Sequence, residues 1–182
     1  VLLAGGRHRP DRTALSLDLP RPDLHSDVVN LLDQFILQHV QVSLIEAKLK
    51  SAPPAEGTRE AQVELKLTPR PVKADAGDAL PAYQVSAQLS CRSDAKDESA
   101  PRFIARVGVE AVYQQINGDP LDMSAFSAHH GSLTRQLYPL LQQELRLLLV
   151  RLGLEQVKLP FDLPARVEIS DNQTVEVSGS VH

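Results

Sequence analysis

Apolar and polar residues alternate along four stretches of the chain. The first runs from Val40 to Lys50, with apolar positions at Val40, Val42 and Leu44, then at Ile45, Ala47 and Leu49. Its alternation changes parity at Leu44-Ile45, and a β-bulge is the simplest device that lets one strand do this. A second strand is predicted from about Arg59 to Thr68, with Ala61, Val63, Leu65 and Leu67 on one face and Gln62, Glu64 and Lys66 on the other. Pro69 and Pro71 are expected to end it. The third, Tyr83 to Cys91, alternates without interruption. The fourth, Arg102 to Tyr113, points Phe103, Ala105, Val107, Val109, Ala111 and Tyr113 one way. Short connections make an antiparallel sheet the economical topology. One face is apolar and the other mostly polar, so a single layer of helix should cover it.

Two segments carry helical spacing instead. Ser26 is placed as an N-cap with Asp27 in the first turn, and Val28, Leu31, Leu32, Phe35 and Ile36 follow, predicting a short helix over Asp27 to Gln38. A long helix is predicted from about Ser132 to Leu152, closed by Gly153, with Pro139 inside it as a kink or a late start. Leu133, Leu137, Leu140, Leu141, Leu145, Leu148 and Leu152 form one stripe, which Leu147, Leu149 and Val150 widen beyond what one sheet can cover. The second layer is expected to be another subunit, with Leu147, Leu149 and Val150 at the oligomer interface. The expected organisation is a flexible arm over 1–25, one domain over 26–164, and a C-terminal hairpin or tail over 165–182. The fold class is α+β: a four-stranded antiparallel sheet, one long helix packed on it, and a short N-terminal helix.

Composition narrows the function. A chain of 182 residues with 42% apolar and 23% charged positions can bury a core without metals or disulfides. Cys91 is the single cysteine, which fits a reducing compartment. The net charge of −4 argues against nucleic acid as the main partner. No stretch approaches the roughly 20 apolar residues of a spanning helix. The first residues, Val1 to Gly6, place apolar residues before charges, the reverse of a signal peptide. The expectation is a soluble, cytoplasmic protein with no membrane insertion.

Chemistry-bearing residues are scattered. His129 and His130 are adjacent and do not share a face, so they make a poor metal pair. Cys91 takes the inward parity of its strand, the position of a small buried apolar residue. Ala4-Gly5-Gly6 is too short for a phosphate loop and lacks its lysine. Glu46, Glu64 and Glu110 fall on or near outer strand positions, where solvated charge is the default. No catalytic constellation emerges, and neither enzymatic activity nor a cofactor is expected.

The segment Leu137-Tyr138-Pro139-Leu140-Leu141-Gln142-Gln143-Glu144, continuing through Arg151 to Gln156-Val157-Lys158-Leu159, resembles the helix signature of the SecB export chaperones. Tyr138 and Pro139 match the aromatic-proline pair that opens the family's long helix, and the order of strands before it also matches, over about Val40 to Pro164. Gln142 and Gln143 stand where the family has a charged pair, the outer face mixes Lys66 and Arg106 with Glu64 and Glu110, and the tail lacks the exporter's second helix. The resemblance implies an ATP-independent holdase, assembled as a dimer of dimers, that binds unfolded polypeptides for export or a related handover. Its implied partners are unfolded clients and either the export motor or an antitoxin. An apolar crossover loop with Leu121, Met123 and Phe126, beside Val42 and Leu44, is the candidate client groove. The competing reading is a helix-grip carrier, whose long helix closes a curved sheet over an apolar small molecule.

Overall fold

The computed structural model describes residues 30–51, 61–73, 79–93 and 102–168. The elements run α1 (Leu31–Gln34), β1 (Phe35–Leu49), β2 (Ala61–Val72), β3 (Ala82–Ser93), β4 (Phe103–Gln115), α2 (Met123–Ala128), α3 (His130–Arg151) and β5 (Ala165–Val167). The strands form one sheet in the order β1-β4-β3-β2-β5. Four pair antiparallel, as the alternation predicts, and β5 adds a short parallel strand beside β2. The sheet is therefore five-stranded and mixed where four antiparallel strands are predicted. Three residues of the predicted C-terminal hairpin or tail lie in β5, and its residues 169–182 fall outside the described residues, as does the arm at 1–25.

Three boundaries differ from the sequence reading. The short helix holds only Leu31–Gln34 among the described residues, and Phe35 and Ile36, which carry helical spacing, begin β1 instead. Phe35 pairs across from Gln115 and packs in an aromatic cluster, so tertiary packing overrides the local period. Second, β2 runs through Pro69 and Pro71. The Leu67 carbonyl accepts from the Glu168 N–H at 2.9 Å, so odd-numbered residues of β2 turn their backbone toward β5 and away from β3. Both prolines then lack an N–H only on the outer edge, where the ladder to β3 does not need one. Third, the segment read as loop between β4 and the long helix contains α2. Its N-cap, Asp122, accepts from the Ala125 N–H at 2.7 Å.

The predicted bulge is present. Val42 stands opposite Val109, and Leu44 opposite Gly108, so Ser43 is the extra residue. It lets Val40, Val42, Ile45, Ala47 and Leu49 share the face of Val107 and Val109, while Leu44 turns to the polar face. A Cβ at position 108 would lie 3.0 Å from the Leu44 Cβ, so glycine makes room for the bulge. A second irregularity, at Gln38, separates Leu37 from His39.

The helical layer lies on the apolar face, with α3 over β3 and β4. Leu133, Leu137, Leu141, Leu145, Leu148 and Leu149 are buried against it. The inward residues of β3, Tyr83, Val85, Ala87, Leu89 and Cys91, are at most 4% exposed. Helix α3 ends in a Schellman motif. Gly153 has φ 70°. Its N–H donates to the Val150 carbonyl at 2.9 Å, and that of Leu154 to Leu149 at 2.8 Å. Leu149 and Leu154 are both buried, the apolar contact that accompanies this motif. Helix α3 continues through Pro139, which is exposed. None of the described helices is long and apolar enough to cross a membrane.

Candidate functional site

The residues first considered for chemistry take structural places. Cys91 is fully buried beneath the helical layer, and burial pushes its thiol up to about 11, so it is protonated at neutral pH. His129 caps α3 and His130 is exposed on its first turn. Among the described residues no three His, Cys, Asp or Glu side chains gather into a metal site. Glu46 takes hydrogen bonds from Lys48 at 2.7 Å and Arg106 at 3.0 Å, which hold its carboxyl below its ordinary range. Glu110 accepts from Ser86 at 2.7 Å and Gln84 at 2.8 Å, and Glu64 pairs with Arg166 at 3.4 Å. These carboxylates stitch strands together across the polar face.

The crossover between β4 and α3 is a clamped segment. Gln115, 2% exposed, donates from Nε2 to the carbonyls of Asn117 at 2.9 Å and Asp119 at 2.7 Å, and its Oε1 accepts from the Leu121 N–H at 3.0 Å. The Tyr83 hydroxyl donates to the Leu121 carbonyl. One amide side chain thus supplies the partners that this stretch of backbone would otherwise take from water. Phe126 lies beneath, fully buried, with its ring 4.4 Å from that of Tyr83 and 5.1 Å from that of Phe35. Leu121 and Met123 are half-buried against the same core.

The five residues expected to line one groove are therefore divided. Phe126 belongs to the core, because α2 folds its ring inward; it is not a surface wall. Val42 is 48% exposed on the helix side of the sheet, whereas Leu44 is half-buried on the opposite face. The bulge at Ser43 is what separates them. What the sequence reading did not single out is the rest of the helix-side face of β1. Ile45 is 57% exposed and Leu49 43%, and Leu37 lies on the same face. Their alternation is plain in the sequence, but alternation reports a face, not whether anything covers it. Helix α3 sits over β3 and β4, and among the described residues Val42, Ile45 and Leu49 of β1 stay exposed on that face.

A second apolar surface lies on α3. Leu147 and Val150 are exposed, as expected of an outward face, and Leu140 joins them. Leu149 does not: at 1% exposure it packs on its own sheet, since it falls on the opposite side of the helix from Leu147. Gln136, Leu140, Gln143, Leu147 and Val150 recur at spacings of four and three, the seam of a helix that packs against another helix. Gln142, on a different side, donates to the Pro160 carbonyl at 3.0 Å, which the Tyr138 hydroxyl also engages. The glutamine that departs from the family's charged pair thus ties down the chain after α3. Phe161, the next residue, projects fully into solvent.

No family model and no curated protein sequence matches the chain. Comparison with solved structures finds the SecB-like chaperone Rv1957 of Mycobacterium tuberculosis, determined in complex with a ChAD peptide from the Rv1956 HigA1 antitoxin. The two share 19% identity at a TM-score of 0.52, over 72% of this chain and 93% of that one. The chain has a SecB-like fold.

Proposed function

We propose that this protein is an ATP-independent holdase that binds unfolded polypeptides through the bare helix-side face of β1. The observation that carries this reading is the row of Val42, Ile45 and Leu49, exposed on a sheet whose neighbouring strands are buried on that face. Exposed apolar rows of this kind mark binding surfaces more often than accidents. An unfolded client offers short apolar stretches, and an apolar face binds them without reading their order, because the hydrophobic effect is non-directional. Each side chain buried there contributes roughly 1.5–3 kcal/mol, so a few subsites suffice for reversible capture. Leu121 and Met123 border the core beneath the crossover and are proposed as a secondary contact, and Leu44 lies on the other face and plays no part.

The SecB-like fold supports the chaperone class, and the antitoxin peptide in the solved neighbour supports a client or antitoxin-type partner over a small molecule. The helix-grip alternative needs a cavity between helix and sheet. That space instead holds Leu89, Val107, Leu141 and Leu145, each fully buried. The outward seam of α3, with Leu140, Leu147 and Val150, is proposed to join subunits, giving several client faces on one particle whose weak contacts multiply by effective concentration. The setting proposed is the cytoplasm, and no catalytic step is part of the function.

The test is suppression of aggregation of a chemically unfolded model protein at stoichiometric ratio, without nucleotide. Protection that is lost in Val42→Ser/Ile45→Ser/Leu49→Ser, with the melting curve retained, is the expected result. Absence of protection by the wild-type chain would remove the holdase reading.

A further inference from the structure

The face of the sheet turned away from the helices has no layer over it among the described residues, and its charge runs against that of the chain. The whole sequence carries −4. Among the described residues of this face, Lys48, Lys66, Arg70, Arg92, Arg106 and Arg166 stand with the carboxylates Glu46, Glu64, Glu110 and Glu168. Every one of these carboxylates already has partners. Glu46 is held by Lys48 and Arg106, Glu64 by Arg166, Glu168 by Lys66 at 2.6 Å, and Glu110 by Ser86 and Gln84. Arg92 and Arg70 pair with no carboxylate among the described residues. The face offers cations to a visitor while its anions are occupied.

Two of these cations, Arg92 and Arg106, line one recess. A hollow of about 340 Å³ opens where β2, β3 and β4 run side by side, lined by Gln62, Glu64, Ser90, Arg92, Ile104 and Arg106. Arg92 is steadied through Nε, which donates to the Gln62 Oε1 at 3.0 Å, so both terminal nitrogens of its guanidinium remain for another acceptor. Arg106 is anchored to Glu46 through one terminal nitrogen. Ser90 stands between them in the register, opposite Arg106 on β4 and Glu64 on β2. A planar guanidinium fixed at one edge matches a carboxylate in two parallel hydrogen bonds, with little side-chain entropy left to lose.

We propose that this recess is a docking point for an acidic, extended segment of a partner protein, one carboxylate of which is taken between Arg92 and Arg106 above Ser90. The partner is distinguished from a client by its chemistry, since a client face is apolar and this one is polar and cationic. The two surfaces lie on opposite sides of one sheet, so both can be occupied at once. Peptide binding at the recess is tested independently of the holdase reading; only the aggregation arm of the experiment rests on it.

The experiment is fluorescence anisotropy on the full chain with a short labelled peptide alternating aspartate and serine, compared with the same peptide carrying asparagine for aspartate. The aspartate peptide should bind, weaken as salt rises, and lose affinity by about tenfold or more in Arg92→Gln, the size of a lost charge-assisted pair. Arg92 is exposed, so this variant should melt as wild type does, and it should still suppress aggregation of an unfolded protein. Arg106→Gln should weaken the peptide further. Equal binding of the two peptides, indifference to Arg92→Gln, or tighter binding of a single-stranded oligonucleotide than of the aspartate peptide would overturn the proposal. So would loss of aggregation suppression in the folded Arg92→Gln protein, which would place both activities on one surface.

Discussion

Strands β3 and β1 lie in one sheet and put apolar side chains on the same face. Along β3 those side chains are at most 4% exposed; along β1, Val42 and Ile45 stand about half exposed. Propensity does not explain this, since both segments alternate and the exposed β1 is the richer in β-branched residues, with four against only Val85 in β3. The difference is the helix. Over β3 and β4, α3 supplies leucines at every turn, and among the described residues it leaves Val42, Ile45 and Leu49 of β1 exposed. The two outer edges differ in the same direction. The β2 edge is covered by β5 and then blunted by Pro69 and Pro71, whereas β1 presents 15 residues without a proline. Among the described residues, one half of the sheet is covered within the chain and the other stays exposed.

That contrast can be broken first at Phe126. Phe126→Ala removes a ring packed among Phe35, Tyr83 and Tyr113 and should cost about 3–5 kcal/mol by denaturant unfolding. Ile45→Ser on β1 should change the same measurement by no more than about 0.5 kcal/mol. Equal losses would mean that β1 is as buried in solution as β3.

Neighbouring leucines on α3 sharpen the comparison. Leu149→Ala should destabilise by about 2–4 kcal/mol, because its side chain is buried on the sheet. Leu147→Asp with Val150→Asp should leave the fold intact and reduce particle mass by light scattering. An unchanged mass would remove the outward seam from the assembly.

Gln115→Ala tests the clamp on the crossover. It removes the buried amide that holds the Leu121 N–H and the carbonyls of Asn117 and Asp119, and about 1–3 kcal/mol of stability should go with it. Truncating the exposed Gln41, whose side chain hydrogen-bonds the exposed His39 at 3.3 Å, should be silent in the same assay.

The smallest expected effect concerns Cys91. Burial raises its thiol from 9.0 to about 11, so the folded protein keeps the proton longer than the unfolded chain does. This favours folding less as pH rises: its contribution is intact below pH 9 and declines between pH 9 and 11, the sign required when the unfolded chain releases its proton first. Alkylation of Cys91 at pH 8 should therefore track unfolding, while Ile45→Cys in a Cys91→Ala background should be labelled rapidly in the native state. Fast native labelling of Cys91 would contradict its place under the helix.

Much of this architecture was legible in the residues themselves. Strict alternation located β3 and β4 to within a residue or two, because a half-buried strand has a period of two whatever its neighbours do. The parity change in β1 announced a bulge, and Gly153 announced the end of α3, since both are demands of local backbone geometry. The tertiary structure decided the rest. It turned Phe35 and Ile36 from helical spacing into strand by pairing them with β4. It carried β2 through two prolines by giving them an edge. It sent Phe126 inward and Leu149 onto the sheet, while leaving Val42, Ile45 and Leu49 bare. A sequence specifies which face a side chain takes through the dihedral period of its own element. Whether that face is covered depends on where a distant helix comes to rest, and no local pattern carries that information.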